Sequence, residues 1–161
     1  MTNMVETGIY TAVITVLIWA AATDLKDRRI PNIQPLLIMG LFGLLAVWRL
    51  RTGDTLLHAA GGPLVAGLLV FGFCIVLFAL KLMGGGDVKL MAAVALIAGP
   101  TLSASFLLFV AIAGGVVALA TLIHARLKPL MFAGPPKVPY GVAIMAGGMW
   151  VCLQKASVSS A

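Results

Sequence analysis

Two aspartates stand where an apolar run meets a turn. Asp24 closes one run in AATDLKDRRIPN, and Asp87 opens another in KLMGGGDVKL. A charged side chain near a bilayer centre costs roughly 2.5–3.5 kcal/mol on insertion scales, so acids at such boundaries call for a functional account. The chain has only five acids in all. Two carboxylates a few ångströms apart resist ionising together. One keeps its proton, and the pair can act as general base and general acid on an amide. Such a pair titrates as a unit. Structural roles compete. Asp87 follows three glycines and precedes a helical pattern, as an N-cap would, and Asp24 could pair with Lys26 or Arg28.

The neighbours of these acids carry further chemistry. Gly84, Gly85 and Gly86 permit backbone conformations and close approaches that a side chain would block. A peptide lying extended against a carboxylate needs such an approach, and so does a simple turn. GGGDVK lacks the spacing and terminal Lys-Ser/Thr of a phosphate-binding loop. Lys89, two positions beyond Asp87, falls on another helix face, where a role toward lipid headgroups or topology fits it better than catalysis. Asp27, among Lys26, Arg28 and Arg29, reads as a local ion-pair partner. Glu6 and Asp54 read as solvated loop charges, and His58 and His124 as interfacial residues at the ends of apolar runs. Cys74 and Cys152 form no CxxC pair and lie in apolar stretches, so no metal or disulfide framework is expected.

The elements that must position these residues are membrane spans. Charged residues make up 10% of the chain, against roughly 25% in soluble domains, and the mean hydropathy is +1.11. That is too little charge to cover a water-facing surface. Six apolar segments run approximately over 7–23, 33–48, 56–80, 88–99, 103–124 and 140–154. The expected fold is an all-α, polytopic integral membrane bundle, with residues 1–161 forming one membrane-embedded domain. The fourth segment is too short to cross a full hydrocarbon layer unaided, and must sit beside a thinned or water-filled region or extend into the preceding loop. The opening MTNMVETG carries no Lys or Arg, so the first segment reads as a retained helix and not as a cleaved signal.

The net charge of +6 is distributed as topology signals and not as a nucleic-acid footprint. With the N-terminus outside the cytoplasm, the inner connections hold Lys26, Arg28, Arg29, Lys81, Lys89, Arg126, Lys128 and Lys137. The outer side then holds Arg49, Arg51 and Lys155. Residues 24–32, 81–87 and 125–139 are accordingly assigned to the cytoplasm. Asp24 and Asp87 then share one membrane face.

Three motifs resemble a known family. GGGDVK is similar to the GxGD-x-K pattern of the type IV prepilin and preflagellin peptidases, which are GxGD intramembrane aspartyl proteases. DLKDRRIPN resembles the same family's other catalytic region, an Asp followed seven residues later by the Pro of an (I/L)P(N/D) turn. KVPYGVAI resembles the Pro-(Tyr/Phe)-Gly stretch that opens the family's last helix. Their order, spacing and six-span layout agree over nearly the whole chain.

The resemblance implies that Asp24 and Asp87 are the catalytic pair of a peptidase in the bacterial inner membrane. It would cut the leader of a prepilin-like substrate on the cytoplasmic side, after a Gly that precedes the substrate's apolar N-terminal helix. Gly84, Gly85, Gly86, Lys89, Pro31, Asn32, Pro139, Tyr140 and Gly141 would bind substrate or shape the site. No metal or organic cofactor is implied. The compact size resembles enzymes that serve Flp/Tad-type pili. The chain lacks the cysteine-paired N-terminal region of longer members that also methylate, which argues against methyltransferase activity. Read without the resemblance, the same residues fit a small proton- or cation-coupled transporter or channel subunit, in which the two acids bind the ion.

Overall fold

The computed structural model describes residues 2–127 and 140–160, and every element longer than one turn in it is a helix. The helices are α1 (Thr2–Asp27), α2 (Ile33–Arg51), α3 (Gly62–Ala79), α4 (Gly85–Leu127) and α5 (Tyr140–Ser160), with a single π-helical turn over Leu57–Gly61. Lipid offers no hydrogen bonds, so apolar runs of this length close their backbone bonds internally as helices. Leu36, Leu44, Leu68, Phe73, Leu108 and Ile112 remain exposed on the outside of the bundle, as side chains facing acyl tails should be.

Five of the helices are long and apolar enough to cross a membrane, so the chain is a multi-pass membrane protein. The fourth of them makes two passes. Gly99 takes φ 66°, ψ −176°, and Pro100 follows it without a backbone N–H to donate. The chain doubles back at this point. Gly99 lies beside Lys155, near the end of α5, while Gly114 lies against Tyr140 at its start. The hydroxyl of Ser103 donates to the Gly99 carbonyl at 2.6 Å, occupying an acceptor freed by the break. Among the described residues six passes are therefore present, as the hydropathy pattern predicts, with the fourth and fifth segments joined without a loop.

The short fourth segment is the core of the molecule. Val88, Leu90, Met91 and every residue from Ala93 to Ala98 are buried, because α2, α3 and α5 all pack on α4. Helices pack on this segment from several sides, so its length need not match the lipid. Its far end opens on a polar hollow lined by Glu6, Arg49, His58 and Lys155. Small residues set the contacts, as close helix packing in membranes requires. A Cβ on Gly67 would meet Leu96 at 2.5 Å, and one on Gly148 would meet Leu17 at 2.6 Å.

Two sequence expectations fail at the chain's polar residues. Glu6 is not a solvated loop charge. It lies within α1, and its carboxylate accepts from Arg49 of α2 at 3.0 and 3.1 Å. Tyr10 joins them through a 2.9 Å bond from Arg49. This network ties α1 to α2 at the end opposite Asp24. Asp27, in turn, is exposed and makes no ion pair among the described residues.

Candidate active site

Asp24 occupies the last turn of α1. The helix ends where Arg28 turns left-handed at φ 52°, and the Arg28 N–H still bonds the Asp24 carbonyl at 3.0 Å. Asp24 is 7% exposed. Its carboxylate Oδ2 accepts the backbone N–H of Gly141 at 2.8 Å. Gly141 sits in the first turn of α5, whose backbone donors have no partner within the helix. A Cβ at Gly141 would lie 2.8 Å from both Cβ and Oδ2 of Asp24. Only glycine lets the two backbones come this close.

Asp87 sits in the first turn of α4, and its Oδ2 accepts the Gly84 N–H at 3.2 Å. This is the reach-back half of a capping box, in which the third helical residue satisfies the donor of the residue before the helix. Asp87 thus does cap its helix, from inside the first turn. None of Gly84, Gly85 and Gly86 is left-handed. The glycines matter for space instead. A Cβ on Gly86 would meet Ile30 at 2.9 Å and its carbonyl oxygen at 3.0 Å, and one on Gly84 would meet the Asp87 carboxylate at 2.9 Å. At Gly85 the nearest atom, in Phe78, is an ordinary 3.5 Å away.

Both aspartates line one open pocket of about 880 Å³ at this end of the bundle. Each lies within range of the other's charge. Pro31, Asn32, Gly84, Gly85 and Gly86 line the same pocket, together with Thr23, Asp27, Arg28, Arg29 and Ile30. Lys89 does not line it. Its Nζ donates to Asn32 Oδ1 at 2.9 Å, so it braces the turn that leads into α2. Tyr140 also stands apart, its ring against Gly114. Pro139 lies outside the described residues.

One contributor escaped the sequence reading. Gln34, fully buried in the first turn of α2, donates from Nε2 to the Thr23 hydroxyl at 3.1 Å. That hydroxyl donates in turn to the Ala20 carbonyl at 2.9 Å. The chain of bonds fixes α2 against the turn that carries Asp24. A glutamine beside a proline in an apolar run was the available signal.

Chemically, the pocket joins two carboxylates, backbone N–H donors that hold them, and open access from one end of the bundle. Among the described residues no cluster of His, Cys, Asp and Glu could hold a metal ion. Comparison with known proteins gives one result. A family model described as the type IV leader peptidase family matches residues 11–119. No curated protein and no solved structure matches the chain.

Proposed function

The chain belongs to the type IV leader peptidase family, and from that membership we propose that it is an aspartyl endopeptidase acting on prepilin-like precursors through Asp24 and Asp87. The observation that carries this reading is that both carboxylates line a single pocket open to water at one end of a membrane bundle. One carboxylate takes a proton from a water molecule as that water attacks the scissile carbonyl. The other donates a proton to the carbonyl oxygen, and then one goes to the leaving amine. The backbone donors at Gly141 and Gly84 orient the carboxylates without themselves reacting. The excess of basic residues on the connections at this end supports a cytoplasmic site. Cleavage then follows a Gly that ends a short leader, just before the precursor's apolar helix enters the bilayer.

The test is reconstitution. Purified protein in liposomes should cut a precursor carrying such a leader, and mass spectrometry should find the new N-terminus directly after the Gly. Intact precursor after prolonged incubation, with proton or cation uptake into the same liposomes, would instead point to a transporter.

Three glycine substitutions probe the geometry. Gly141→Ala forces a methyl into the Asp24 carboxylate, and displacements of about 1 Å can cost roughly a hundredfold in rate. Cleavage should fall by about that factor, while the circular dichroism and melting of the protein hold. Gly86→Ala should fall by roughly tenfold or more because Ile30 presents backbone to it. Gly85→Ala, with room for its methyl, should cut at close to the normal rate. Equal losses at all three positions would mean that the spacing around the carboxylates does not matter.

A further inference from the structure

α2 and α3 both pack on α4, yet among the described residues they do not touch each other. Only the π-helical turn before α3 reaches α2. Between them runs a groove of about 540 Å³. Ala92 and Ala93 of α4 form its floor, Leu36 and Met39 of α2 one wall, and Leu68 and Phe71 of α3 the other. Its polar members are Asn32 and Lys89 alone, bonded to each other. Asn32 also lines the pocket that holds the two aspartates. The groove is therefore a lateral branch of that pocket, polar where it joins and apolar beyond.

We infer that this cleft receives the apolar helix of the substrate and thereby sets which peptide bond meets Asp24 and Asp87. The inference rests on the peptidase reading above. α4 supplies both Asp87 and the groove's floor, which continues to Leu96. Nine residues of helix span about 14 Å, so an occupant that begins at the carboxylates follows the groove for about two and a half turns. An occupant at this depth must satisfy its own backbone, which a helix does. The alanine floor lets a helix approach closely. A helix seated there cannot follow the groove past its polar mouth, so the first extended residues before it lie across the aspartates. Cleavage position is then measured from the start of the substrate helix.

The experiment places a photo-crosslinking amino acid at Leu68 or at Leu69. Both are highly exposed, at 68% and 69%, but Leu68 lines this groove and Leu69 lines a separate one on another face of α3. The probe is a precursor with a Gly-terminated leader before an apolar helix, incubated with the Asp87→Asn protein so that it is not consumed. Wild-type cleavage is scored in parallel. Crosslinks to the precursor should be at least tenfold stronger from Leu68 than from Leu69. Equal yields, lipid adducts alone at Leu68, or crosslinks there to a second copy of this chain would overturn the inference. Wild-type cleavage without a Leu68 crosslink removes the groove and leaves the peptidase. A Leu68 crosslink without wild-type cleavage keeps the docking site and removes the peptidase.

Discussion

Asp24→Asn and Asp87→Asn should each lower precursor cleavage by about a thousandfold or more, since positioned proton transfer contributes roughly 10²–10⁴ and neither step proceeds without its partner. The amide is nearly isosteric and keeps an oxygen to accept from Gly141 or Gly84. Folding should therefore survive, and the loss belongs to the chemistry. The double variant should be little worse than either single one, because groups that act as a unit are strongly non-additive. Asp27→Asn is the control. It changes an exposed acid on the rim of the same pocket and should leave the rate nearly unchanged. Substantial cleavage by either catalytic variant would end the assignment.

Arg49→Leu should destabilise the protein by about 2 kcal/mol, between the values for exposed and for fully buried pairs, because this pair is half-buried. Glu6, whose side chain is 14% exposed, keeps the Tyr10 hydroxyl beside it but loses both guanidinium bonds. Such a change lowers the folded-to-unfolded ratio by roughly thirtyfold. Replacing both residues, as Glu6→Leu with Arg49→Leu, should recover most of the loss, since no desolvated charge is then left behind. Thermal unfolding of the detergent-solubilised protein measures both. The folded fraction of either variant should cut precursor normally, because this network lies at the far end of α1 from Asp24. A single variant as stable as the parent would show that the pair contributes nothing to holding α1 on α2.

The sequence made the outline of this molecule readable because charge is scarce in it. With five acids, Asp24 and Asp87 stood out as the ones that interrupt apolar runs. The segment count was legible for the same reason, and Gly99-Pro100 marks the boundary between the fourth and fifth. That this boundary is a reversal without a loop was not legible, since it depends on a single left-handed glycine.

Pairings across long separations were hidden as well. Glu6 lies 43 residues from Arg49, and a hydropathy profile that starts the first span after Glu6 leaves it in water. The glycine triplet reads as three equivalent residues. Its members differ only in what lies opposite each, Ile30 for Gly86 and the Asp87 carboxylate for Gly84. Lys89 and Asn32 were both expected near the site, but their bond to each other depends on how α4 meets the turn before α2.

The hydrogen bond that seats Asp24 spans 117 residues of chain. A nascent polypeptide emerging from the ribosome holds its first aspartate long before it holds the glycine that steadies it. Until α5 inserts, that carboxylate lacks the N–H that holds it, although a half-made molecule already contains both acids. If the proposed pair is the catalytic one, a chain truncated before α5 should fail to cleave precursor even though it carries both aspartates.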